Sequence, residues 1–122
     1  MNTNEPRPPG KTTIDPGVLI TIARLSTLSV AGVSRMGEVP ASVKRILRRG
    51  QEQGVSLKID DMVVDADVYV ILHAGVNVRE ASRAIQAAIA RAVSDMVGME
   101  VGRINIHIDD IDYSAAPAAG EG

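Results

Sequence analysis

Apolar residues along this chain recur with two rhythms, one alternating and one near the α-helical repeat, and glycine, proline and paired aspartates separate the runs. Val55, Leu57 and Ile59 alternate with Ser56, Lys58 and Asp60, the signature of a half-buried strand. Val64, Ala66, Val68, Val70 and Leu72 then share one face while Asp65 and Asp67 take the other. Asp60-Asp61 between the two runs predicts a turn, so together they read as an antiparallel hairpin. Ile104, Ile106 and Ile108 alternate with Asn105, His107 and Asp109 in a last strand, and Val33 to Met36 suits a short one. Lys11 to Ile14, with its Thr-Thr-Ile, predicts an opening strand.

Two segments carry the helical period. Asp15 is placed to accept from free backbone N–H groups, and Pro16 suits the first helical position. Val18, Ile22 and Leu25 follow at helical spacing, joined by Leu19 and Leu28, and Gly32 is expected to end this helix. Asn77 and Glu80 have capping-box spacing, with asparagine in the place of serine or threonine. Behind them Val78, Ala81, Ile85, Ala88, Ile89, Ala92, Val93 and Met96 form one apolar face, and Gly98 supplies the stop. Residues 40–53, PASVKRILRRGQEQ, read as a short amphipathic helix on Val43, Ile46 and Leu47, interrupted at Gly50.

The order is β-α-β-β-β-α-β. Each helix has one apolar stripe and each main strand one apolar face, and burying them together predicts an α+β two-layer sandwich. Both helices lie on one face of a mixed sheet of four to five strands. A length of 122 residues suits one domain, expected over residues 10–113. Residues 1–9, polar and proline-rich, read as a disordered arm, and residues 114–122 as a disordered tail of small residues.

Composition narrows the chemistry. With no Phe or Trp and only Tyr69 and Tyr113 as aromatics, the core must be aliphatic. The lack of cysteine excludes disulfides, thiolate metal sites and thiol nucleophiles, and fits a cytoplasmic setting. MNTNEPRPPG holds no apolar run, so no secretory signal is expected, and no stretch approaches the ~20 apolar residues of a membrane span. Membrane contact is therefore expected to be peripheral, at the inner face, or through a partner. The net charge of −2 hides an asymmetry. Lys44, Arg45, Arg48 and Arg49 cluster in the middle, whereas beyond Asp95 only Arg103 opposes Glu100, Asp109, Asp110, Asp112 and Glu121. Such polarity favours head-to-tail association or a basic contact patch.

The ordered set of motifs resembles the alkaline shock protein family of bacteria, the Gls-type envelope stress response proteins. The resemblance rests on Gly10, Ile22-Ala23 and Gly32-Val33 in the first part. In the second it rests on Gly54-Val55, the valine-rich strand ending at Gly75, Ile85-Gln86, Val97-Gly98 and Asp109-Asp110-Ile111. It covers roughly residues 10–112. The stretch Leu25-Ser26-Thr27-Leu28-Ser29-Val30 departs from it, where more alanine and an acidic residue are expected, and the basic insert at 40–53 lies in a region that varies. The resemblance implies a small intracellular non-enzymatic protein of envelope homeostasis, acting through self-association or a membrane-anchored partner, with no catalytic residue to carry over.

Candidate catalytic chemistry is thin. His73 and His107 on neighbouring strands, with Asp65 or Asp67, could approach a metal set, but no HxH or HExxH spacing occurs, and exposed sheet histidines are the simpler reading. Asp65 and Asp67 sit where an uncovered sheet face places polar residues anyway, and Asp109, Asp110 and Asp112 read as solvated charge beside a tail. Ser26, Ser29 and Ser34 have no visible base, and no phosphate-binding loop is present. No enzyme activity, cofactor, metal or small-molecule substrate is expected.

The one patch singled out comprises Val43, Lys44, Arg45, Ile46, Arg48 and Arg49, a compact cationic edge suited to anionic headgroups or an acidic protein surface. A solvated face is its plain alternative. The reading is a scaffold or adaptor with a protein partner, itself or a membrane-anchored protein. The alternative is a small RNA-binding module, disfavoured by net negative charge and scarce aromatics.

Overall fold

Asp15 and Asn77 open the two helices, and each does so with its own side chain. In the computed structural model, which describes residues 14–42 and 51–114 (backbone only at 51 and 52), Asp15 Oδ1 accepts from the Gly17 N–H at 2.9 Å. Helix α1 then runs Pro16–Leu28. Asn77 Oδ1 accepts from the Glu80 N–H at 3.0 Å and starts α2, Val78–Val97, which Gly98 ends in the left-handed conformation at φ 76°.

The strands are β1 (Val33–Met36), β2 (Gln51–Glu52), β3 (Val55–Asp60), β4 (Val63–His73) and β5 (Glu100–Asp112). They form one five-stranded mixed sheet with β4 at its centre. Along one side β4 pairs antiparallel with β3 over its first half and with β1 over its second; along the other it pairs parallel with β5. β2 extends β3. The parallel pairing follows from the chain between them, because a parallel return needs a crossover and α2 provides it.

α1 and α2 pack on each other and on the same sheet face. The α+β sandwich expected from the apolar pattern is the fold. Val64, Ala66, Val68, Val70 and Leu72 of β4 face the helices and are buried, meeting Leu19 and Ala23 of α1 and Ile85, Ile89 and Val93 of α2 in one cluster. Each fully buried Leu, Ile or Val contributes about 2 kcal/mol of transfer free energy. Thr27 joins this core because its hydroxyl donates to the Ala23 carbonyl at 2.7 Å, which satisfies the group within its own helix.

Several local expectations are corrected. α1 stops at Leu28 with Ser29 as cap, short of Gly32, whose φ of 100° serves the turn into β1. The hairpin turn is Asp61-Met62, since Asp60 still pairs with Val63; Asp61 takes φ 61°, which aspartate tolerates. β5 starts four residues before Ile104. Within 40–53, Ala41 and Ser42 are helical but Gln51 and Glu52 form a strand, because pairing with β3 satisfies their backbone. The opening strand, apart from Ile14, and the arm and tail, apart from Ser114, lie outside the described residues. Ile14 itself is not in a strand.

Candidate interaction surfaces

The sheet face turned away from the helices carries the chain's polar chemistry. Strand alternation places Asp65, Asp67, Tyr69, Ile71 and His73 of β4 there, with Asn105 and His107 of β5 beside them. His107 stacks on Tyr69 with ring centroids 4.5 Å apart and planes 13° from parallel. Its Nε2 lies 2.9 Å from Asp67 Oδ1, which Asn105 Nδ2 also contacts at 3.2 Å. Burial, and then the carboxylates of Asp67 and Asp109, push the Tyr69 phenol above its ordinary value.

The aspartates at the end of β5 were expected to be solvated charge. Two of them instead hold the sheet together. Asp109 Oδ2 accepts from the Glu38 N–H at 2.9 Å, and Asp112 Oδ2 accepts from Ser34 Oγ at 2.5 Å and Arg35 Nη1 at 3.2 Å. Both reach across β4 to the β1 side. The Ser114 hydroxyl, the Ser34 hydroxyl, the Ser114 N–H and Arg35 together hold the Asp112 carboxyl well below the usual carboxylate range. Asp65 likewise accepts from the Arg103 N–H at 2.7 Å. Only Asp110 stays turned to solvent, accepting from its neighbour Ile111.

These contacts account for the carboxylates that could have served as acids or bases. His73 and His107 do lie on adjacent strands, but His107 is level with Tyr69, four residues along β4 from His73, or about 13 Å at strand rise. Among the described residues no three His, Cys, Asp or Glu side chains converge as a metal set. Buried side-chain atoms without a partner are scattered, at Arg24 Nε, Ser56 Oγ and His73 Nδ1. The patch Val43, Lys44, Arg45, Ile46, Arg48 and Arg49 lies outside the described residues.

The helix layer supplies a surface that the sequence reading misplaced. Val18, Leu25 and Leu28 were expected in the core with Leu19 and Ile22. They are 49%, 55% and 38% exposed, while Leu19 and Ile22 are buried as expected, together with Ile20, Ala23 and Thr27. Apolar residues lie on both sides of α1, so its periodicity fits two overlapping stripes, and docking on the sheet chose the one that shares Leu19 and Ile22. Its only formal charge is Arg24. α2 contrasts with it, presenting Arg79, Arg83, Arg91 and Asp95 outward. A shallow cleft of about 260 Å³ lies between the end of α1 and the start of α2, lined by Val30, Ala31, Val76, Glu80 and Ala84. A surface helix without a polar outer face marks an interaction surface. The signal was legible as a charge count, one in 13 residues.

The model of the alkaline shock protein 23 family, described as having a cell envelope-related function, matches residues 4–113. The chain belongs to this family. Its relatives include the uncharacterized protein Spy1535 of Streptococcus pyogenes, 32% identical over 88% of this chain and 84% of that protein. The uncharacterized protein YqhY of Bacillus subtilis is 29% identical over 85% of this chain and 78% of that protein. Among solved structures the fold is similar to that of a MamM CTD variant, with TM-score 0.52 and 13% identity over 79% of this chain and 96% of that one. The copper form of the MamM CTD gives 0.51 and 9%, over 82% and 90%. Among the described residues no helix is long and apolar enough to cross a membrane.

Proposed function

We propose that this member of the alkaline shock protein 23 family is a non-catalytic scaffold or adaptor of cell-envelope homeostasis, joined through protein contacts to the inner face of the cell membrane. The observation that carries the reading is the outer face of α1, where Val18, Leu25 and Leu28 stand exposed on a helix whose one charge is Arg24. An interfacial membrane helix sets basic residues along its polar face, and α1 has no such face. A protein surface is therefore the better match, and membrane attachment is indirect. The basic segment 43–49 is proposed as a second contact element on its sequence alone, and 10–113 as the functional domain.

The open sheet face supports the non-catalytic reading, because its carboxylates are engaged by donors of the same sheet rather than aimed into a cleft. It also weighs against RNA binding. Tyr69 stacks on His107 instead of standing free for a base, and the carboxylates of Asp67 and Asp109 set negative charge beside the pair.

The test is cell fractionation with size analysis of native complexes. Leu25→Glu should shift the protein from the membrane-associated, large-complex pool to the free pool while its melting temperature stays close to wild type. An unchanged distribution for a folded Leu25→Glu protein would remove α1 from the account. Charge reversal at Arg45 and Arg48 tests the basic element in the same way.

A further inference from the structure

The free edge of β5 has a geometry of its own. Among the described residues this 13-residue strand pairs on one side only, with β4. Two bulges break that pairing: residues 102 and 103 together oppose Asp65, and Asp109 is inserted between Ile108 and Asp110. Between the bulges, residues 104–108 are regular.

Backbone direction along β5 can be followed from its contacts. The Arg103 N–H turns toward β4, donating to Asp65. At the other end the Asp112 carbonyl also turns toward β4, accepting from the Ala74 N–H at 3.0 Å. Strand alternation, counted through the single inserted residue at Asp109, turns the backbone groups of Ile104, Ile106 and Ile108 outward from either end. The Gln86 amide of α2 already donates to the Ile104 carbonyl at 2.8 Å.

We infer that β5 is a self-association edge, on which a second copy of this chain pairs its own β5 antiparallel about a two-fold axis at Ile106. The bulges leave a five-residue window, and the one antiparallel register that matches the whole window with itself is centred on its middle residue. Ile106 then faces the partner's Ile106, and Ile104 the partner's Ile108, as hydrogen-bonded pairs formed by the outward groups. This register keeps both helix layers on one side and covers the half-buried Ile106 and Ile108.

Charge selects the same arrangement. Arg103 is exposed and makes no ion pair among the described residues, and Asp110 is exposed with only its neighbour's N–H. Antiparallel pairing brings each Arg103 near the partner's Asp110, twice per dimer. The bulges that end the window also stop further pairing, so the product is a closed dimer and not a fibre. A ladder of five residues is small beside the roughly 1,000 Å² of a stable interface, so the dimer forms at micromolar concentrations or above. Release of the Ile104 carbonyl by Gln86 is part of its formation.

This deepens the scaffold reading by naming its self-association contact, and it rests on that reading only for biological use. The chain has no native cysteine, so single-cysteine variants of the full-length protein report the register. Wild type should sediment as a monomer–dimer mixture between micromolar and millimolar concentration at low salt. Ile106→Cys should oxidise to a covalent dimer. A mixture of Asn105→Cys and His107→Cys should crosslink faster than either alone, and Arg83→Cys, on the outer face of α2, should not crosslink. Arg103→Glu should weaken dimerisation about tenfold, and adding Asp110→Arg to the same chain should restore it.

A wild type that stays monomeric throughout overturns the inference, as does crosslinking at position 83 as fast as at 106. Loss of the dimer with α1-dependent complexes intact sinks the edge and leaves the scaffold reading standing. A normal dimer with no effect of Leu25→Glu on cellular complexes does the reverse.

Discussion

The Asp109 carboxylate of β5 accepts the Glu38 N–H at 2.9 Å although β4 lies between β5 and β1, which ends two residues before Glu38. The bulge at Asp109 makes the span possible by pushing that residue out of step with β4. The space it needs comes from Gly37, where a Cβ would run into the same carboxylate.

Gly37→Ala should therefore destabilise the fold by about 1–3 kcal/mol, because the clash is relieved only by giving up the Glu38 contact. Asp109→Ala in the same chain should make the alanine at 37 much better tolerated. Urea unfolding of the two single variants and the double variant gives the coupling; strict additivity would show that the two residues do not share one constraint.

Gly54 and Gly75 separate backbone strain from crowding. Both have positive φ, 82° and 88°, but a Cβ at Gly54 would meet the carbonyl oxygens of Gly37 and Tyr69 at 2.8 and 2.9 Å, whereas Gly75 faces open space. Gly75→Ala should cost about 1 kcal/mol, the conformational penalty alone. Gly54→Ala should cost clearly more, since backbone atoms cannot step aside. Equal midpoint shifts in thermal melts would contradict the contact geometry.

Asp112 gives the acid limb of stability a defined sign. Its folded-state carboxyl sits below the usual range, held there first by the Ser114 hydroxyl and then by Ser34. The unfolded chain binds that proton more readily. The stabilisation is complete above the ordinary aspartate value of about 3.9 and declines as pH falls from there toward the lowered folded value. Asp112→Asn should flatten stability against pH below about pH 4, measured by denaturant midpoint, and leave the profile above about pH 5 parallel to wild type. An unchanged acid slope would mean that the ring of donors does not perturb the group.

The two sides of α1 should respond in opposite ways. Leu19→Ala, in a fully enclosed position, should cost about 2–5 kcal/mol. Leu25→Ala, more than half exposed, should stay within about 0.5 kcal/mol. Denaturant titration of the pair decides whether the exposed stripe is a free surface.

The two readings of α1 show where sequence inference stopped. In α2 one stripe is apolar and Arg79, Arg83, Arg91 and Asp95 mark the outer side, so Ala81, Ile85, Ile89 and Val93 could be assigned to the core from the letters alone, although Val78 and Met96, expected on the same stripe, stand exposed at its two ends. In α1 apolar residues surround the axis, and a period by itself does not say which phase meets the sheet. The aspartates of β5 were ambiguous in another way. Their composition resembles a solvated end, and only a bulge in register with β4 and the nearness of β1 turn Asp109 and Asp112 inward. Gln51 and Glu52 were read as helix because pairing with β3 leaves no local trace.

Local chemistry along the chain determined the helix starts at Asp15 and Asn77, the stop at Gly98, the alternation of β4 and β5, and so the α+β sandwich, whereas β3 buries Ser56 and leaves Ile59 exposed against its expected alternation. Those choices depend on capping, on backbone freedom and on side-chain period, all properties of neighbouring residues. Tertiary structure alone decided that β5 runs parallel to β4, which face of α1 is left for a partner, and which aspartates are spent on the sheet. Each of these depends on contact between residues far apart in the chain, and no local pattern carries that.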